Sequence, residues 1–264
     1  MARDEGLEKA ITASGGVRAL ARELGISQPA ISSWKRVPAD RVVAVESASG
    51  VARAELRPDL YGDAAQGAET ALPEIAPEDA ARAEEYALIG ALLWRAPTAE
   101  LLAQLAGLRG DASELGAAHH MIAEAARSAD PEAVQREFFD LFVGVGRSEI
   151  LPYASYYRTG FLHERPLADV RADMEKLGLA REDRVGEPED HVAILFDVMR
   201  GLITGEFEAD GVDERAFFER HLKPWAARMF ADVEMTSSAS FYRPVAAAGR
   251  IFMEIEAGAL ALAA

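Results

Sequence analysis

The sequence predicts an all-α protein in two parts, a small helix-turn-helix domain joined by a linker to a larger helical body. Three observations carry this. Apolar residues recur at helical spacing along most of the chain, and strand signals are nearly missing. Charge is divided: residues 1–62 hold 9 Lys/Arg against 8 Asp/Glu, whereas residues 63–264 hold 19 against 36. Between the parts, residues 63–78 mix Ala, Gly, Pro and acidic side chains without periodicity, as a tether does. The expected division is therefore 1–62, 63–78 and 79–264.

Composition narrows the chemistry. The 264 residues are half hydrophobic, enough for a substantial core. Cysteine is absent, which excludes disulfides, thiolate metal sites and a cysteine nucleophile. The N-terminus, MARDEGLEKA, has no apolar signal region. The longest apolar run, 86–94, falls well short of the roughly 20 residues that span a bilayer. A soluble cytoplasmic protein without membrane insertion is expected. The body's excess of carboxylates repels nucleic acid and favours cationic partners, a bias the near-neutral head does not share.

In the head, Leu7, Ala10 and Ile11 make one helical face, and Gly15 and Gly16 end it. Val17, Leu20, Ala21 and Leu24 make the next, with Gly25 placed to close it and Ser27 to cap a third helix through Ala30, Ile31 and Trp34. Helix, Gly-containing turn and helix make a helix-turn-helix. The last helix exposes Gln28, Ser32, Ser33, Lys35 and Arg36. Gln and Ser can contact base edges. Lys35 and Arg36, with Arg18, Arg22 and Arg41, can reach phosphates. The run GGVRALARELGISQPAISSWKRVPADRV, with ELRPDLYG after it, resembles the Cro-like, YdaS-type family of phage and antitoxin repressors. That resemblance implies a recognition helix at about 27–35, operator DNA binding as a homodimer, and repression.

In the body each apolar face reads as core. Tyr86, Ile89 and Leu93 form one, Leu101, Leu102 and Leu105 the next, and Val134, Phe138, Leu141 and Phe142 a third. A short helix is expected at 167–177. Phe218, Leu222, Trp225 and Met229 stand at i, i+4, i+7 and i+11, and Phe241, Val245, Ala248, Phe252 and Ile255 close the chain. Residues 186–203 combine a polar entry with the face Val192, Leu195, Phe196, Met199, Leu202 and Ile203. Pro188 sits where a first helical residue tolerates proline, with Glu189 and Asp190 placing negative charge in the first turn. Two irregular stretches stand out, 144–161 and 186–191.

Neither stretch carries a recognised catalytic pattern. GVGRS lacks the P-loop lysine and a preceding strand. A Ser155–His191–Asp190 set lacks the GxSxG elbow. Glu187 and His191 at i, i+4 have no HExxH or second-His support for a metal. No catalytic residue, metal or cofactor is expected. An acidic helical body with an apolar groove instead suits a peptide with a cationic head and an apolar centre, such as a twin-arginine export signal.

FFDLFVGVGRSEILPYASYY, GEPEDHVAILFDVM, FFERHLKPWAARMFADVE and SFYRPVAAAGRIFMEIE, in this order and spacing, resemble the TorD/DmsD/NarJ family of redox-enzyme maturation chaperones. The resemblance covers about 79–257. It implies an all-α fold that binds the twin-arginine signal peptide or apo form of a molybdenum or tungsten oxidoreductase before cofactor insertion and export. The overall style of 160–191 resembles members associated with formate dehydrogenases. The residues carried over as client contacts are Tyr153, Ser155, Tyr157, Glu187, Pro188, Asp190 and His191. The family's E-x-P-x-D-H pattern lacks its first spacer here. Where many members have a Glu after the D-H pair this chain has Leu195, which argues against the family's guanine-nucleotide role. The alternative reading is a transcription regulator whose body is a sensor or dimerisation domain.

Overall fold

The protein is described by a computed structural model that covers residues 4–24, 28, 31, 34–38, 41–58, 75–146, 148–179, 186–207, 209 and 211–262. The chain separates into two compact units, Met1–Ala71 and Leu72–Ala264. Described residues are helical or irregular, with one isolated bridge in place of strands.

In the first unit, α1 (Glu5–Ala13) starts where the Asp4 carboxylate accepts from Gly6 N at 3.0 Å. Gly15 and Gly16, at φ 80° and 116°, turn the chain into α2 (Val17–Glu23). Gln28 and Ile31 are helical, while Gly25, Ser27, Ala30, Ser32 and Ser33 lie outside the described residues. Next come α3 (Val42–Ser49) and α4 (Arg53–Leu56). The expected faces do meet. Leu7, Ala10, Leu20, Ala21 and Ile31 join Val37, Val42, Val45 and Leu56 in one core, with Trp34 half-buried at its edge. Gly6 lets α1 lie directly on α4, since a Cβ there would stand 2.3 Å from the Glu55 carbonyl oxygen.

The second unit is built on α5 (Pro77–Trp94), whose first turn has Pro77, Glu78 and Asp79. The helix thus takes the last two residues expected in the tether, and 63–74 lie outside the described residues. It is followed by α6 (Ala99–Leu105), α7 (Glu114–Arg127) and α8 (Pro131–Phe138), the last running into a π-helical turn, Phe139–Val143. Then come α9 (Ala154–Thr159), α10 (Arg165–Lys176), α11 (Val192–Ile203), α12 (Glu214–His221), α13 (Ala226–Met235) and α14 (Tyr242–Leu262). Thr98, Ser113, Asp130 and Asp213 cap α6, α7, α8 and α12 through their side chains.

The core is centred on α5 and α11, which pack along their lengths, and on α14, which packs on α13 and α7. Gly90 sits at the α5–α11 crossing, where a Cβ would touch the Phe196 Cβ at 3.4 Å. The Tyr86 ring meets Phe196 and Phe252 edge-on at 5.0 and 4.7 Å. Each such fully buried large side chain contributes on the order of 1.5–3 kcal/mol. Two carboxylates fasten α14. Glu137 of α8 accepts from the backbone N of Ser240, Phe241 and Tyr242 at 2.8–3.0 Å, capping the helix from a distance. Glu256, fully buried, accepts from Arg82 Nε and Nη2 at 2.7 and 2.9 Å and from Tyr86 OH at 3.0 Å.

The structure corrects four expectations. The face from Phe218 to Met229 is not one helix: Pro224 has no N–H and disfavours helical geometry at Lys223, so α12 ends at His221 and α13 begins at Ala226. Ile255 is 47% exposed rather than core. Residues 144–161 are only partly irregular, since they contain α9. Pro188, Glu189 and Asp190 precede α11 instead of opening it. Its N-cap is His191, held extended at φ −65° and ψ 135° by pairing with Tyr153.

Candidate functional site

The two irregular stretches come together. Tyr153 and His191 form an antiparallel bridge, with Val192 N donating to the Pro152 carbonyl at 2.9 Å and Ala154 N to the Asp190 carbonyl at 3.0 Å. Asp190 Oδ2 accepts from Ser155 N at 2.7 Å and thereby caps the first turn of α9. Asp190 and Ser155 are fully buried, and neither Asp190 Oδ1 nor Ser155 Oγ has a hydrogen-bond partner. The Tyr153 hydroxyl donates to Glu187. Burial and that carboxylate both push the phenol pKa up. Pro188 contributes its carbonyl, which accepts from His191 N at 3.1 Å. Five of the seven residues named for client contact (Tyr153, Ser155, Glu187, Asp190 and His191) thus form one joint, and Pro188 is part of its turn.

The joint has an inside and an outside. Asp190, His191 and Ser155 are inside. Tyr153, Glu187 and Pro188 are half-exposed, and Trp94, at the end of α5, is 40% exposed. The His191 ring lies between two aromatic rings, edge-on to Tyr153 at 5.1 Å and to Trp94 at 5.7 Å. Sequence reasoning missed Trp94, which looked like the end of an apolar run. Glu189, also missed, is buried and bound by Arg171 at 2.8 and 2.9 Å, tying the turn to α10.

Tyr157 stands apart from the joint. Its ring stacks on Trp225 at 5.5 Å, Arg228 lies over it at 5.4 Å, and its hydroxyl donates to Asp232 at 3.0 Å. A second polar cluster forms around Asp173, which is bound by Arg220, Lys176 and His221. Burial pushes this carboxyl up, but the hydrogen bonds outweigh it and hold the pKa at about 2. An open groove of about 600 Å³ runs between α7 and α14, lined by Met121, Ala125, Pro244 and Ala247 with Arg127 and Arg243; no joint residue lines it.

Ser155, His191 and Asp190 are adjacent but are not arranged for acyl transfer. His191 Nδ1 accepts from Ala193 N at 3.2 Å and is therefore unavailable as a donor to Asp190, whose carboxylate is spent on Ser155 N. Among the described residues no group of three His, Asp or Glu converges as a metal site would, and no helix is long and apolar enough to cross a membrane.

Burial lowers the His191 pKa from 6.5 to about 4. The unfolded chain therefore binds this proton first as pH falls. The neutral ring's stabilising effect is complete above its unfolded value and is lost between pH 6.5 and 4. Between pH 7 and pH 5 this amounts to about 2 kcal/mol. Urea titrations at the two pH values should show that loss in the wild type and a smaller one in His191→Asn, which keeps a capping side chain. His119 and His221 are common to both proteins and cancel. Equal losses in the two would contradict the assignment.

In the head, Arg18, Arg22, Gln28, Lys35 and Arg36 are all exposed. Arg18 Nε donates to Gln28 Oε1 at 3.1 Å. The Lys35 carbonyl accepts from Asp4 N at 2.8 Å, fastening this segment to the start of α1.

Fold and site together define an all-helical body with a two-loop joint rimmed by aromatic and acidic side chains, preceded by a small helical head. Residues 108–231 match the family "Nitrate reductase delta subunit", and residues 7–65 match "Bacterial toxin YdaS". The body is thus similar to the nitrate reductase delta subunit family and to TorD chaperones, and the head is similar to the YdaS family. The chaperone protein TorD of Aliivibrio fischeri is 34% identical over 102 residues, 35% of this chain and 47% of that protein. TorD of Vibrio cholerae is 30% identical over 144 residues, 48% and 64% of the two chains. The matched part spans about half the length of the first of these curated relatives. A redox enzyme maturation protein from Archaeoglobus fulgidus superposes with a TM-score of 0.44 at 22% identity, covering 66% of this chain and 93% of that one.

Proposed function

We propose that the body is a chaperone for a molybdenum or tungsten oxidoreductase. It binds the enzyme's twin-arginine signal peptide or apo form on the cytoplasmic side, before cofactor insertion and export. A formate dehydrogenase is the client class that the style of residues 160–191 favours. The observation that carries the reading is the outer rim of the joint, where the Glu187 carboxylate, held by Tyr153, shares one joint with the exposed Trp94. A guanidinium can pair with a carboxylate and lie on an aromatic face, and the peptide's apolar stretch follows onto the aromatic side chains. Asp190, His191 and Ser155 hold this rim from inside. The activity is binding rather than catalysis.

Expression of the full chain with its client in cells starved of molybdate provides the test. The apo-enzyme should co-purify with the protein, and deletion of its signal should reduce the yield. No co-purification of apo-enzyme, with or without its signal, would reject the reading. At the site, Glu187→Gln should weaken an arginine-bearing signal peptide roughly tenfold, the loss of one charge-assisted contact, while thermal unfolding stays close to wild type. Fluorescence titration with a labelled peptide would measure this. Unchanged affinity would remove Glu187 from the contact.

The second reading concerns the head, which we propose binds operator DNA as a homodimer through Arg18, Arg22, Gln28, Lys35 and Arg36. Ser32 and Ser33 belong to the same proposed face. Its support is the near-neutral head bearing exposed cations at helix-turn-helix positions, on a chain of net charge −16. One such head makes few phosphate contacts, so useful affinity requires two. A gel-shift titration of the full chain on its own promoter, against an Arg22→Ala, Lys35→Ala double variant, tests it. Equal, weak retardation by both proteins would reject DNA binding.

A further inference from the structure

We propose that Arg18 sets the base preference of the head by fixing how Gln28 presents its side-chain amide. The inference rests on the head binding DNA. Arg18 lies on α2, and Gln28 is helical and falls in the stretch 27–35 expected as the recognition helix, where a helix-turn-helix brings side chains to base edges. Both side chains are exposed, and they are joined by Arg18 Nε donating to Gln28 Oε1 at 3.1 Å. A guanidinium has only donors, so the amide orientation is fixed by chemistry: the oxygen faces Arg18 and the nitrogen faces away. Among the described residues, the amide nitrogen of Gln28 and the two terminal nitrogens of Arg18 make no further hydrogen bond or ion pair.

This arrangement changes what Gln28 can read. A free glutamine suits adenine, donating to N7 and accepting from the N6 amino group. With Oε1 turned toward Arg18 and one of its two lone pairs taken, Gln28 leads with its two N–H donors. Its best partner is then an edge of acceptors. Guanine supplies two, O6 and N7, and thymine supplies one, O4. Adenine and cytosine each turn an amino donor toward the same groove and are disfavoured. The terminal nitrogens of Arg18 remain available for a backbone phosphate, so one residue both anchors to the strand and orients its neighbour. Arg18 is thus a positioning residue for specificity, and Gln28 is the reader.

The test is selection from a random duplex pool with the full chain, run in parallel for wild type, Gln28→Ala and Arg18→Ala. The salt concentration is lowered so that losing one phosphate contact does not silence the variants. The position whose preference disappears in Gln28→Ala is the one Gln28 reads. There the wild type should select guanine, and Arg18→Ala should shift to adenine. Affinity ratios between the guanine and adenine versions of the selected site should change by about tenfold or more. The salt slope of Arg18→Ala should also be shallower by about one phosphate contact. If the wild type selects a motif and Arg18→Ala selects the same base at that position, the inference is overturned while DNA binding stands. A wild type that already selects adenine there overturns it too. If the wild type enriches no sequence at all, the reading of the head as a DNA-binding domain fails, and the inference fails with it.

Discussion

Replacing Glu256 with alanine should cost about 3–5 kcal/mol of folding stability, the range for breaking a buried charge pair by removing one partner. The carboxylate is fully buried on α14 and is engaged at both oxygens by Arg82 and Tyr86 of α5. Without it the Tyr86 hydroxyl, itself buried, is left with no acceptor. Arg82 keeps Asp79 at 2.7 Å and Glu214 at 3.2 Å, so its charge is not stranded, and the lower end of that range is expected. Glu256→Gln should lose less, because an amide oxygen can still accept from Arg82. The double variant Arg82→Met, Glu256→Leu should recover part of the loss, because apolar replacements avoid desolvating charge. Urea denaturation of the three variants measures these differences. A Glu256→Ala variant within about 1 kcal/mol of wild type would contradict the role given to this cluster.

Asp190→Ala should have the second largest effect, a loss of about 2–3 kcal/mol in urea denaturation, together with a weakened client site. The carboxylate accepts from Ser155 N in a fully buried setting, so truncation leaves that N–H without a partner. The same bond aligns the two strands of the joint, beside the Tyr153–His191 bridge. Loosening it should let the rim residues Tyr153 and Glu187 drift relative to each other. Peptide affinity should therefore fall even at temperatures where the variant is fully folded. Asp190→Asn provides the control. Its amide oxygen can still accept from Ser155 N. Stability and affinity should both return most of the way. If Asp190→Asn restores stability but not affinity, the clamp alone does not account for the client site and the negative charge at Asp190 is also required.

These two positions show what the sequence could and could not convey. The helix faces were legible because burial follows a period: Leu20 and Ile31 in the head, Tyr86, Phe196 and Phe252 in the body all reach the core as their spacing indicated. The break at Pro224 was also legible in principle, but the apolar spacing from Phe218 to Met229 hid it. Long-range polar pairing was not legible. Glu256, Glu137 and Glu189 look in sequence like solvent-facing acids, and nothing near them names Arg82, the start of α14 or Arg171 as partners. The joint itself was visible only as a family motif. Local chemistry read Glu189 and Asp190 as the first turn of a helix, whereas pairing with Tyr153 pulls that segment into an extended conformation and leaves His191 as the cap. Trp94 escaped notice for a similar reason, since only the tertiary fold sets it beside His191.

The central claim is that the rim of this joint binds a peptide with paired arginines. Calorimetric titration of the full chain with the signal peptide of a molybdenum enzyme, and with the same peptide carrying two lysines instead, tests it most directly. The account predicts saturable binding of the arginine peptide at roughly micromolar or tighter affinity, and binding about tenfold weaker for the lysine version, which cannot pair in two-pronged fashion or lie flat on an aromatic ring. Equal affinity for the two, or no heat of binding with either, would contradict it.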